Sequence, residues 1–448
     1  MRRLIALGLA LAMSLTLIEA QTIEATKGQK IELNLPQAIE LALNDNPSIK
    51  VASLEIERQK YVHDETRGGL MPSLSASGSY SYNILKPVMF MPEGTFGPGS
   101  PGGAMRIGYS HGFTGGFQLA IPLYMPTLYK AMQLNDKQML QAVETSRQSK
   151  IALVNQVKKC YYGILLGESS LNVIKENIEN IKLIVNNTQN SFDQGVVAEY
   201  DLITAQVQLS NMNPVLLTAE NGLRISRLML NMLLSLPLNT EVTVNDSLEN
   251  YSTYALEDSV NSYNLSTNSD LKLADIAREI LQKQLEMQKA TRIPTISAMA
   301  QYTVQTQNND LRIGSYNWRG SALAGLQLSV PIFSGLSKVS KERQIKNSIS
   351  QLNMQRDYLE QNVSVEAETA LSNLVKARGQ MEANSDAKIK ARKAYKISKT
   401  RYDTGAGTIV ELNTAQVAML QAELNFTQSI YDYMSARADL DKVTGSLN

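Results

Sequence analysis

Residues 46–82, NPSIKVASLEIERQKYVHDETRGGLMPSLSASGSYSY, and residues 268–304, NSDLKLADIAREILQKQLEMQKATRIPTISAMAQYTV, run in parallel 222 positions apart. Each starts at an asparagine, carries a helical stretch and passes through a proline into an alternating run. Two further matches follow. GGFQLAIPLY, ending at Tyr124, pairs with AGLQLSVPIF, ending at Phe333, and sets Pro122 against Pro331 at an offset of 209. SFDQGVVAEYDLITAQ pairs with TRYDTGAGTIVELNTAQ and sets Gly195 against Gly405 at an offset of 210. Similarity at such a fixed distance marks an internal duplication. One copy covers residues 21–237 with a strand pair over about 72–124, the other covers 268–448 with a strand pair over about 294–333, and residues 238–267 link them. The fall in offset places 13 extra residues in or near KPVMFMPEGTFGPGSPGG, a Pro/Gly-rich composition that predicts a strand-to-strand loop.

In PSLSASGSYSY, residues 72–82, serine fills every odd position from Ser73 to Ser81, and Leu74, Ala76, Gly78, Tyr80 and Tyr82 fill the even ones. A period of two is a strand with two unlike faces. The same alternation sets Phe117 and Leu119 against Gln118, Tyr302 against Gln301 and Thr303, and Leu326 and Leu328 against Gln327. Two solvents fit such strands. A soluble sheet wets its serine face, whereas a membrane barrel turns its apolar face to lipid and lines water with the other. Each pattern extends to about 10 residues, long enough for a tilted strand to cross a bilayer. In that case Trp318 and Tyr302 suit the interfacial aromatic belts.

After each strand pair comes a helical stretch without internal proline, from about Thr127 to Phe192 and from about Leu336 to Tyr402. At ~1.5 Å per residue these are rods of roughly 100 Å. Leu171, Ile174, Ile178, Ile181 and Val185 in one, and Val363, Ala367, Ala370, Leu374, Ala377 and Met381 in the other, keep coiled-coil spacing. Gly195 ends the first rod and Gly405 and Gly407 end the second, after which a return helix makes each a hairpin. Pro214 is expected to kink or divide the first return helix.

The leader MRRLIALGLALAMSLTLIEA, residues 1–20, has the charge, apolar run and small terminal residue of a secretory signal peptide. With no later apolar run of transmembrane length, any membrane crossing is expected to be by strands. Charge is balanced, with 43 Lys plus Arg against 42 Asp plus Glu, which offers no footprint for nucleic acid. The lone Cys160 excludes an intrachain disulfide framework and any CxxC site, leaving a packing role. His63 and His111 lie far apart, and no HExxH, GxSxG or phosphate-loop motif occurs, so no catalytic, metal or cofactor site is expected and the chain is read as no enzyme.

Four strands cannot close a useful barrel, and open sheet edges are not tolerated in lipid. Head-to-tail association closes the ring, and three chains of four strands make a twelve-stranded barrel. The fold class expected is therefore mainly α with a membrane β-barrel: duplicated, with long coiled-coil hairpins and four strands per chain.

The duplicated plan and the two tips, SFDQGVVAEYDLITAQ and RYDTGAGTIVELNTAQ, resemble the TolC family of outer-membrane efflux and secretion channels over nearly the whole chain. The resemblance implies a homotrimer in the outer membrane of a Gram-negative bacterium, with a helical tunnel through the periplasm that docks a periplasmic adaptor and an inner-membrane transporter. Its function would be the exit duct of an efflux pump, the alternatives being the exit of a type I secretion system or a periplasmic coiled-coil spacer. By position, the resemblance sets Asp201 and Tyr402 among residues that hydrogen-bond across a closed aperture, and Glu411 in an acidic ring. Gly407 stands where an arginine latches the neighbouring subunit and Thr414 where a second acidic ring occurs, which leaves Arg401 and Glu199 as substitutes for the lock. Gly195, Gly405 and Gly407 then shape the surface that meets the adaptor. Asp201 and Glu411 also suit the start of a return helix through its dipole.

Overall fold

The computed structural model describes residues 30–92, 102–257 and 262–446. The leader and residues 93–101 of the Pro/Gly-rich loop lie outside the described residues. Asn34 opens the helix Leu35–Asp45 (α1) with a capping box, its side chain accepting from Gln37 N while the Gln37 side chain accepts from Asn34 N. Asn46 caps the next helix, Pro47–Gly68 (α2), and its Nδ2 donates 2.8 Å to Leu233 O. At the corresponding place Asn268 caps Ser269–Ala290 (α6), and its Nδ2 donates 2.7 Å to Val443 O. Both asparagines are buried, so each ties the head of one helix to the tail of a return helix, a role the aligned sequences did not reveal.

The rods are Pro126–Asp193 (α3) and Ser337–Asp403 (α7), of 68 and 67 residues. Their return helices are Glu199–Leu233 (α4) and Ile409–Thr444 (α8). Pro214 does not divide α4. Its missing N–H leaves one carbonyl without its usual helix partner, and the helix runs on, with Thr218 Oγ1 donating 2.8 Å to Pro214 O. The six spaced apolar positions of α7, Val363 to Met381, are all buried.

Strands Ser73–Tyr82 (β2), His111–Tyr124 (β5), Thr295–Asn308 (β7) and Arg319–Ser329 (β8) form one antiparallel sheet in the order β2-β5-β7-β8. Strand β8 stops at Ser329, short of the expected residue 333, because its partner Thr295 is the first residue of β7 and the ladder ends there. The connection after β2 is more than a loop, since Val88–Met91 (β3) and Gly103–Arg106 (β4) pair as a small hairpin. Helices follow the same order as the strands: α2 packs on α3, α3 on α6 and α6 on α7.

A further pair was not foreseen. Lys30–Leu33 (β1) runs parallel to Glu241–Val244 (β6), and Leu248–Glu257 (α5) follows it, so the linking segment forms a belt. Beneath the belt lies the main core, built from Val157, Tyr161 and Ile164 of α3, Leu230 of α4, Met381 of α7, Ile430 and Tyr433 of α8, and Val242. Lys158 and Lys159 of α3 pin Asp441 and Asp439 of α8 at 3.0 and 2.6 Å.

Candidate functional site

Sheet register decides which side chains share a face. One set of rows runs Leu74, Leu119, Ala300, Ala324 and then Ala76, Phe117, Tyr302, Ala322. Tyr80, Tyr82, Leu326 and Leu328 fall on this face by the same register. Rows on the other face run Ser75, Gln118, Gln301, Leu323; Ser77, Gly116, Thr303, Ser321; and Ser79, Thr114, Gln305, Arg319. Leu323, with Met299 and Ala120 of the row that starts at Ser73, interrupts a surface made mostly of hydroxyls and amides. The apolar face is bare: Leu74 and Leu326 keep 71% and 74% of their surface exposed, which costs heavily in water.

At the sheet end away from the rods, aromatic rings gather. Phe113 lies 4.8 Å from Tyr80, 5.7 Å from Tyr316 and 6.5 Å from Trp318 between ring centroids. His111 joins them, with Nδ1 2.8 Å from Tyr80 OH. His63, the other histidine, sits between α2 and α3 near Asp64 and Asp136 at 3.6 and 3.7 Å. Among the described residues no group of three or more metal-ligating side chains occurs, and no helix is long and apolar enough to cross a membrane.

The opposite end carries the two hairpin tips. Gly195 and Gly405 both take φ +73°, a left-handed conformation that glycine adopts without strain. Val196 N donates 2.8 Å to Ser191 O, and Ala406 N donates 2.8 Å to Arg401 O, so the two turns close alike. Thr408 caps α8 in a reciprocal box with Glu411, while Ala198 gives α4 no side-chain cap. Glu199 and Asp201 sit in the first turn of α4, where the helix dipole favours them, and among the described residues neither bonds a side chain.

Arg401 and Glu411 are brought together. Nη1 lies 3.5 Å from Glu411 Oε2, and Nη2 donates 3.1 Å to Ala406 O. Gly407 makes room for this clasp, since a Cβ there would stand 3.1 Å from Arg401 Cβ and 3.2 Å from Glu411 Oε2. Tyr402 turns to the other hairpin instead, its OH 3.0 Å from Thr188 Oγ1 of α3.

Thr188 belongs to a seam of which the sequence spacing marks only Ile181. Asn177, Ile181, Ile184 and Thr188 form one buried stripe of α3; Leu412, Gln416, Met419 and Glu423 form one of α8. Buried Glu423 accepts a hydrogen bond from Arg392 of α7. Next to it lies a cleft of about 270 Å³ lined by Asn177, Arg392, Tyr395 and Glu423. Burial, with the charge of Asp403, pushes the Tyr395 phenol up and keeps it neutral. The side-chain amides of Asn177 and Gln416 are buried without a hydrogen-bond partner among the described residues. The signal available was polar residues recurring at positions of otherwise apolar helical period.

Comparison with known proteins adds to this geometry. The sequence profile described as outer membrane efflux protein matches residues 38–235 and 262–446. Outer membrane protein TolC of Vibrio cholerae is 21% identical over 342 residues, spanning 74% of this chain and 76% of the relative. Outer membrane protein TolC of Escherichia coli is 20% identical over 434 residues, spanning 93% and 83%. The solved structure of CusC superposes with a TM-score of 0.72 at 16% identity over 93% of each chain. That of the MtrE outer membrane channel of Neisseria gonorrhoeae gives 0.69 at 16% identity over 92% and 89%. At such identities the structures speak for a shared fold.

Proposed function

The chain belongs to the outer membrane efflux protein family, and from that premise we propose that it is the exit duct of an efflux pump, seated in the outer membrane. The observation that carries this is the sheet register, which segregates an exposed aromatic and aliphatic face from a hydroxyl and amide one. In lipid the bare face costs nothing, and the opposite face lines a water-filled lumen. Leu74, Tyr80, Tyr82, Phe117, Leu119, Tyr302, Leu326 and Leu328 meet lipid, and Trp318 its interface.

Both the sheet and the helical layer end in unpaired edges. Strand β2 and helix α2 form one edge, β8 and α7 the other. Both edge helices keep apolar side chains exposed: Val51, Leu54 and Tyr61 on α2, and Met354, Tyr358 and Val365 on α7. Joining β8 and α7 of one copy to β2 and α2 of the next satisfies both at once, and three copies close a twelve-stranded barrel above a helical tunnel. The duplicated sequence gives each chain two similar sectors of that ring.

Conduction needs no chemical step in this chain. Energy comes from an inner-membrane transporter, joined through a periplasmic adaptor that meets the tips near Gly195, Gly405 and Gly407. The tips close the periplasmic end. Tyr402 holds the second hairpin to the first through Thr188, the Arg401–Glu411 clasp stiffens the second tip, and Glu199, Asp201 and Glu411 give the aperture an acidic rim that favours cations.

Purified protein in planar bilayers tests both levels. A detergent-requiring trimer that conducts, and whose conductance rises severalfold with Asp201→Ala plus Tyr402→Phe, is the expected result. Unchanged conductance would remove these two residues from the gate. Extraction by carbonate without detergent, with no conductance, would replace the duct by a periplasmic spacer.

A further inference from the structure

Apart from His111, the four strands β2, β5, β7 and β8 carry one ionisable side chain of marked charge, Arg319 at the head of β8. The ladder pairs it with Gln305, Gln305 with Thr114 and Thr114 with Ser79, so its row lies on the hydroxyl and amide face. Its chain neighbour Trp318 belongs to the opposite face by alternation, with its ring 6.5 Å from that of Phe113. Arg319 is exposed and, among the described residues, has no hydrogen-bond or ion-pair partner.

Arginines near a membrane edge often stretch toward lipid headgroups. Alternation opposes that here, because Trp318 takes the outward side of this level and Arg319 the inward one. A guanidinium keeps its proton at every working pH. The residues of its row are an amide and two hydroxyls, none of them a carboxylate that would cancel its charge.

Resting on the duct reading above, we propose that Arg319 forms a threefold basic ring inside the outer mouth of the lumen, which draws carboxylate- and phosphate-bearing solutes toward the exit. The loops at this end carry the same sign, with Lys86, Arg106 and Arg312 against Asp310 among the described residues. Lys86 is held 2.9 Å from Asn309, and Arg312 lies 4.0 Å from Asp310. The far end has the reverse sign, from Glu199, Asp201 and Glu411. The duct is thus acidic where solutes enter and basic where they leave. Solutes bearing both charges are attracted at each end, whereas a polycation meets a barrier at the exit.

A cysteine at Ser321, two residues along on the same face, reads the local potential without depending on the tip. Its backbone lies roughly 7 Å from that of Arg319 in an extended strand. The probes are membrane-impermeant methanethiosulfonates, one anionic and one cationic, applied to membranes and followed by mass spectrometry of the intact chain. Natural Cys160, a half-buried thiol, is replaced by serine in every variant so that only the introduced cysteine reacts. At 0.1 M salt the anionic-to-cationic rate ratio at Ser321→Cys should fall about threefold when Arg319→Gln is added, by Coulomb interaction at that distance with partial screening. At 1 M salt the difference should vanish. Labelling of Ser321→Cys with a ratio indifferent to Arg319→Gln at low salt overturns the ring and leaves the duct standing. Labelling of Ala322→Cys, with Ser321→Cys protected, reverses the faces and overturns both.

Discussion

At the tip between α3 and α4, Gly195 and Val196 donate to Phe192 O and Ser191 O; at the tip between α7 and α8, Gly405 and Ala406 repeat both bonds to Tyr402 O and Arg401 O. The backbones match while the side chains diverge. Arg401 clasps Glu411 and Tyr402 reaches Thr188, yet the aligned Ser191 and Phe192 make no corresponding contact, and Asp201 stands without a side-chain partner among the described residues. Turn geometry here is carried by one glycine and by main-chain bonds, so it is the same at both tips whatever the side chains. The side-chain contacts start from the second tip, at Arg401 and Tyr402.

The largest expected effect exploits that asymmetry. Removing the guanidinium by Arg392→Ala leaves buried Glu423 unpaired, which should cost about 3 kcal/mol. Hydrogen exchange should show the loss in α7 and α8 while α3 and α4 keep their protection. Equal loss in both hairpins would mean they open as one body. Next come the turns themselves, where Gly195→Ala and Gly405→Ala each force an L-residue into a left-handed conformation at about 1–2 kcal/mol. The two tips should fray to the same extent, and a clear inequality would break the equivalence of their backbones. The smallest effect belongs to the clasp. Exposed ion pairs contribute little, so Arg401→Ala should destabilise the second tip by less than about 1 kcal/mol, and the difference should disappear in high salt. A larger, salt-insensitive loss would show that Arg401 holds the tip by packing.

How far these features were legible in the sequence follows from the physics of each. Alternation over β2, β5, β7 and β8 and the spacing of Val363 to Met381 are local patterns, and both were readable residue by residue. Gly195 and Gly405 announced their turns because few other residues take that φ without strain. Contacts between elements distant in sequence left fainter traces. The belt strand β1 pairs with β6 over four residues each, too short for periodicity to emerge. In the sequence Asn46 and Asn268 only mark where the two parallel stretches start, while their bonds to Leu233 O and Val443 O need the return helices in place. Pro214 shows the limit of a local rule: a proline in helical sequence signals a kink or a break alike, and α4 runs through it without a break. Tyr402 was singled out for a bond across the aperture; within the chain its OH meets Thr188, which no local pattern indicated.

The central claim is that the even-numbered face of β2 meets lipid and its serine face meets water. Ala76→Arg and Ser77→Arg test it most directly, since adjacent residues of one strand carry the same charge to opposite faces. Arginine on the lipid face near the bilayer midplane costs about 2–4 kcal/mol, and in the lumen it is solvated. The account predicts that Ala76→Arg markedly lowers the yield of membrane-integrated trimer, while Ser77→Arg assembles normally and shifts ion selectivity. Equal assembly of the two variants, or failure of Ser77→Arg alone, would contradict it.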